Sequence, residues 1–140
     1  MALPTKLVLE VVTPDRLVLR EDVDEVVVPG SEGELGVLPG YTPLLATLKV
    51  GEMWYRTGSE RHYLAVAMGF VEILPDRVTI LAQVGERAQD IDVARAERAK
   101  QRAEGRITTS AADIDLERAR IALMKSLIRL QVAAKVRMRS

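Results

Sequence analysis

Near Gln89 the hydrophobic pattern of this 140-residue chain changes period, and that change dictates most of what the chain can become. Before it, short runs of β-branched and aliphatic residues recur every 8 to 10 residues, each closed by turn residues. Leu7–Thr13 ends at Pro14-Asp15, Leu17–Arg20 follows, and Val23–Val28 ends at Pro29-Gly30. Met53–Thr57 and Arg61–Val66 flank Gly58-Ser59, a two-residue hairpin signal, and Phe70–Leu74 and Val78–Val84 flank Pro75-Asp76. The pattern predicts an N-terminal β-sandwich of about ten short strands over residues 1–86.

After the change the period is helical. Asp90 or Asp92 suits a helix N-cap, the helix is expected to run to about Glu104, and Gly105 suits its C′ position. Its inward stripe would be Ile91, Ala96, Ala99 and Ala103. Ser110 with Asp113 has the form of a capping box for a second helix running to about Lys135. In that helix Leu116, Ala119, Leu123, Leu127, Leu130 and Ala134 recur at three- and four-residue steps. The connecting loop is short, so residues 87–140 are expected to form an antiparallel two-helix hairpin. An alanine stripe buries little, which predicts a hairpin held only marginally closed, with apolar surface left for another partner.

Charge divides at the same place. Residues 1–88 carry 8 Lys/Arg against 13 Asp/Glu, and residues 89–140 carry 12 against 7, with no acid after Glu117. Two modules of opposite sign imply different partners. The absence of cysteine excludes disulfides, zinc-thiolate sites and thiol nucleophiles. The first residues do not read as a signal peptide, and the longest apolar run, Leu64–Val71, is far short of a bilayer span; a soluble protein is expected.

Enzyme signatures are sparse. His62 is the single histidine and reads as a half-exposed strand residue; no nucleophile elbow surrounds any serine. No catalytic residue and no metal site is assigned. Asp22, Asp24 and Glu25 read as a solvated strand edge. The glycines at 30, 33 and 36 match neither dinucleotide nor phosphate-loop spacing, and Val37-Leu38-Pro39-Gly40 cannot begin a helix. They are expected to supply positive φ in a bulged turn.

The segment Gly30-Ser31-Glu32-Gly33-Glu34-Leu35-Gly36-Val37-Leu38-Pro39-Gly40-Tyr41-Thr42-Pro43-Leu44-Leu45 resembles the signature loop of the epsilon subunit of F-type ATP synthases, with Tyr41 where that family usually has histidine. Gly69-Phe70-Val71-Glu72-Ile73, Asp76–Ala82 and Asp90-Ile91-Asp92-Val93-Ala94-Arg95-Ala96 match in order, so the resemblance covers essentially the whole chain.

The resemblance implies a non-catalytic stalk subunit of the proton-translocating complex, peripheral at the cytoplasmic face of the cell membrane and without membrane insertion. Its sandwich would bind the gamma subunit and rest on the c-ring through Ser31, Glu32, Gly33 and Glu34. Its arm would restrain ATP hydrolysis by extending toward the acidic catalytic beta subunits, with Arg118, Arg120, Lys125 and Arg129 as contacts. Glu86, Ile91, Asp92, Arg95, Ala96, Lys125 and Arg129 match positions used by some members to bind ATP as a regulatory ligand. ATP-binding members have arginine where this chain has Lys125, which keeps the charge but loses the bidentate fork. A structural role competes for the same residues: Asp92 as helix cap and Arg95 in surface ion pairs. The competing function is a free-standing adaptor whose basic hairpin binds an acidic protein or nucleic acid. Overall neutrality and 4% aromatic content argue against nucleic acid.

Overall fold

Period-two alternation in the first half is realised as strands that bury one face. β1 (Leu7–Val12) buries Leu7, Leu9 and Val11 and turns Val8, Glu10 and Val12 outward. A computed structural model describes residues 4–109 and 113–139 and divides between Arg87 and Ala88 into two compact units. The first holds β1, β2 (Leu17–Val23), β3 (Glu25–Gly30), β4 (Gly33–Val37), β5 (Leu44–Leu48), β6 (Gly51–Thr57), β7 (Glu60–Leu74) and β8 (Arg77–Arg87). Their order is β2-β1-β8-β7-β5-β3-β4, with β6 paired to both β3 and β7. Only β1 and β8 pair in parallel among these strands.

Among the described residues the strands number eight rather than about ten, and Arg61–Val66 and Phe70–Leu74, read as two, are one 15-residue strand. Its first half pairs with β6 and its second half with β5, and the register carries through unchanged from Gly51↔Val66 to Leu48↔Gly69. The inward face changes at the junction. Leu64 and Val66 are buried before it and Val71 and Ile73 after it, a switch from even to odd positions. β6 buries Met53 and Tyr55 where β5 buries Leu48, so the same switch occurs beside it. The three strands β5–β6, β7 and β8 thus turn a corner together and close one sheet into two facing layers.

Two residues make the corner. Met68 has φ 55°, a conformation costing a non-glycine residue about 1–2 kcal/mol. Gly69 lies so close to β8 that a Cβ would fall 1.9 Å from the Leu81 carbonyl oxygen. The core enclosed by the corner is aliphatic, with Leu7, Leu9, Met53, Leu64, Ile73 and Ile80 its largest fully buried side chains.

The expected hairpin turns are present: Thr57 pairs with Glu60 across Gly58-Ser59, and Leu74 with Arg77 across Pro75-Asp76. The expected solvated edge is corrected in part. Asp22 is exposed, but Asp24 accepts hydrogen bonds from Lys6 Nζ and from the Gly58 amide at 2.7 Å. These bonds hold its carboxyl below the usual range, the Lys6 bond first. Arg56 donates to Glu25 at 3.1 Å and to the Gly58 carbonyl at 2.8 Å. This network fastens the β2–β3 and β6–β7 turns to the start of β1. On the buried side, desolvation and a hydrogen bond with Glu21 push the Tyr55 phenol far above its ordinary range.

The second unit begins with a 3₁₀ turn (Ala88–Asp90) and continues as α1 (Val93–Thr109) and α2 (Asp113–Arg139). Asp92 is the N-cap: its Oδ1 accepts the Arg95 amide at 3.0 Å. Gly105 does not end α1, which runs one turn further. That extra turn is braced by the Thr108 and Thr109 hydroxyls, which donate to the Gly105 carbonyl at 2.8 and 2.9 Å. The Ser110–Asp113 box includes Ser110, which lies outside the described residues. α2 extends past Lys135 to Arg139. The expected inward stripes are shifted in part: Leu127 is exposed, and Ala99, Leu116, Leu123, Leu130 and Ala134 are half-buried. Ile91, Ala96, Ala103 and Ala119 are buried as expected, and on α2 the unexpected Ser126 and Ala133 join them. Small residues at seven-residue steps on both helices form an interhelical seam and allow close approach. The buried Ser126 hydroxyl is satisfied by the Ala122 carbonyl at 2.9 Å.

Candidate functional site

The turn between β3 and β4 is built by two glycines. Gly30 pairs with Gly33 across Ser31-Glu32, and a Cβ on Gly30 would meet the Gly33 carbonyl oxygen at 2.6 Å. Gly33 has φ 140°, the open conformation glycine permits; Gly30 and Gly36 do not share the expected positive φ. The turn is fastened to β5, since the Ser31 amide donates to the Thr47 carbonyl at 2.9 Å and the Thr47 hydroxyl to Ser31 Oγ at 2.7 Å. Ser31, Glu32, Gly33 and Glu34 are therefore brought together, exposed, on a held turn. With Leu44 and Leu45 they line an open depression of about 590 Å³. Leu45 is 69% exposed and was not singled out from sequence. The signal was there: two adjacent leucines on a strand cannot both face inward. Behind this surface, half-buried Tyr41 packs against the core. The Gly40 amide donates to the Pro75 carbonyl at 2.7 Å and ties the loop to the β7–β8 turn.

Beyond the corner, the outer face of the second layer carries a surface that sequence reading missed. Leu17, Val12, Leu81 and Phe70 pair in succession across β2, β1, β8 and β7, and the row continues to Thr47 on β5. At about 4.8 Å per strand, its apolar part is roughly 15 Å long. Leu17, Leu81 and Phe70 are each more than half exposed, an arrangement that marks interaction surfaces. Pro14, Met68, Phe70 and Leu81 line an open depression of about 640 Å³ along it. The neighbouring row is polar, running Arg20–Glu10–Thr79–Glu72, with Arg20 and Glu10 3.7 Å apart. The clue was the run Leu64–Val71: a half-buried strand should alternate, and this one is apolar on both faces.

In the arm, Ile91 and Ala96 are buried, Asp92 is engaged as the cap, and Arg95 is exposed with no ion-pair partner among the described residues. Glu86 belongs to the sandwich, on β8 opposite Ala65. At about 100° per residue, Arg118, Lys125 and Arg129 share one face of α2, whereas Arg120 lies on the other side with exposed Met124 and Leu127. The four expected contact cations therefore form a group of three plus one. His62 stacks on Tyr55 with ring centroids 4.9 Å apart, and its Nε2 lies 3.3 Å from the Thr57 hydroxyl, the strand role expected of it.

The first unit is thus a sandwich with two exposed surfaces, and a basic helical arm follows it. Family models agree: the ATP synthase delta/epsilon chain β-sandwich domain matches residues 6–88, and the delta/epsilon long alpha-helix domain matches residues 89–134. The ATP synthase epsilon chain of Syntrophobacter fumaroxidans is 49% identical over 93% of this chain and 97% of its own length. Epsilon chain 2 of Syntrophotalea carbinolica is 50% identical over 93% and 95%. The fold matches a chain in the Euglena gracilis mitochondrial ATP synthase OSCP/F1/c-ring structure, at TM-score 0.79, 20% identity, and 99% and 84% coverage. A chain in the Tetrahymena thermophila mitochondrial ATP synthase central stalk/c-ring structure matches at TM-score 0.57 and 16% identity, with 96% and 98% coverage. The chain belongs to the epsilon-chain family of F-type ATP synthases.

Proposed function

We propose that this chain is a non-catalytic central-stalk subunit that couples proton-driven rotation to ATP synthesis and restrains ATP hydrolysis through its arm. The observation that carries the reading is the continuity of the two docking surfaces. The apolar row Leu17–Val12–Leu81–Phe70–Thr47 ends beside Ser31, whose amide and hydroxyl bond to Thr47. A gamma subunit seated on the row would therefore stand next to a c-ring touching Ser31–Glu34, as a central stalk requires. In this reading the arm reaches the acidic catalytic beta subunits, with Arg118, Lys125 and Arg129 on one contact face and Arg120, Met124 and Leu127 on the other. In this reading the chain sits peripherally at the cytoplasmic face of the membrane; among the described residues no helix is long and apolar enough to cross one. The free-standing adaptor is not favoured, since relatives at about half identity over nearly the whole chain are epsilon chains.

ATP is included as a regulatory ligand. The exposed Arg95 guanidinium and the cations of Lys125 and Arg129 suit its phosphates, with Ile91, Asp92 and Ala96 around the α1 start. Calorimetric titration with ATP should show saturable binding that is lost in Arg95→Ala; no heat with the native chain would remove ATP from the account.

The docking test exchanges apolar for polar at exposed positions. Phe70→Ser with Leu81→Ser should weaken binding to the purified gamma subunit at least about tenfold while leaving the chain folded, because both side chains are already half in water. A cysteine replacing Glu34 should crosslink to a cysteine in the c-subunit loop. Undiminished gamma binding, or crosslinks confined to the catalytic head, would overturn the orientation.

A further inference from the structure

Met68 is the one non-glycine residue among those described with a positive φ. Glycine would occupy that conformation freely, yet the chain spends the position on a long side chain and leaves it 37% exposed. Met68 is outside the buried core cluster, so packing of the interior does not explain it. Its side chain lines the same depression as Pro14, Phe70 and Leu81, two residues before Phe70 at the corner of the sandwich. Strain held at a partly exposed position outside the core cluster is a mark of function.

We infer that Met68 is a specificity-determining docking residue, its strained backbone retained because the thioether side chain seats among apolar side chains of the partner. An unbranched, polarisable chain suits a surface that must mould to its partner. The inference rests on reading the apolar row as the gamma-docking surface. It commits to gamma rather than a second copy of this chain because the row is continuous with the turn assigned to the c-ring. A partner lying over Met68 and Phe70 borders that ring; a second copy would have no reason to.

The experiment compares the full-length native chain with M68G, M68L and F70S, by thermal melting and by titration of the purified gamma subunit. M68G should melt no lower than the native chain, since relief of strain offsets glycine's entropy in the unfolded state. It should nevertheless bind gamma at least about tenfold more weakly, the loss typical of a buried anchor. M68L restores apolar volume and should bind within about threefold of native. Native-like gamma binding by M68G would overturn the inference, as would a fall of several degrees in its Tm, which would give Met68 a structural role. If F70S weakens binding and M68G does not, the row docks without Met68. If neither weakens it, the docking reading itself fails. Self-association of the native chain abolished by M68G, with gamma binding intact, would identify a second copy as the occupant and also overturn the inference.

Discussion

At the scale of single residues, the sandwich leans on a few positions whose substitution should be felt. Gly69 is one: any β-carbon there runs into the β8 backbone, which cannot yield as a flexible side chain would. Gly69→Ala is expected to cost about 2–3 kcal/mol or more, read as the denaturation midpoint. Asp24 is another. Its carboxyl is held below the ordinary value of 3.8 by Lys6 and the Gly58 amide, so the folded state binds its proton less readily than the unfolded state. The stabilisation is therefore fully present above pH 3.8 and fades as pH falls through that value toward the lower folded pKa. Asp24→Asn should lower Tm near neutral pH, and the gap from native should narrow steadily below about pH 4. A gap that stayed constant with pH would show that the charge is irrelevant.

At the scale of elements, turns were legible and corners were not. Gly58-Ser59 and Pro75-Asp76 announced two hairpins because their residue types fix backbone geometry locally. The β7 corner at Met68 had no such signal, since its conformation is imposed by the two layers it joins, and so one strand read as two. The turn at Ser31–Glu34 was legible as a tight glycine-built turn, while Leu45 and the Leu17–Phe70 row required knowing which face was already occupied. Gly105 misled because glycine marks helix ends only where φ turns positive, and here it does not. A Cβ at Gly105 has open space, so Gly105→Ala should stabilise α1 by about 0.5–1 kcal/mol, measured as slower amide exchange in α1. The division of α2 cations gives a second prediction. Replacing Arg118, Lys125 and Arg129 together by alanine should relieve inhibition of ATP hydrolysis and reduce its salt dependence, if that face meets the acidic surface. Relief by Arg120→Ala alone would assign the contact to the opposite face.

At the scale of the whole molecule, the acidic sandwich and the basic arm differ in charge and in period, and each is a compact unit. The Arg87 side chain donates to the Val18 carbonyl at 3.4 Å and closes β8 onto β2 just before the division, so the sandwich is complete without the helices. The most direct test is ATP hydrolysis by complexes reconstituted with the native chain or with a chain ending at Arg87. Both chains should enter the complex through gamma, because both proposed docking surfaces lie within the sandwich, and the truncated complex should hydrolyse ATP several-fold faster. Equal rates from fully assembled complexes would contradict the regulatory arm, and failure of the truncated chain to assemble would contradict docking through the sandwich.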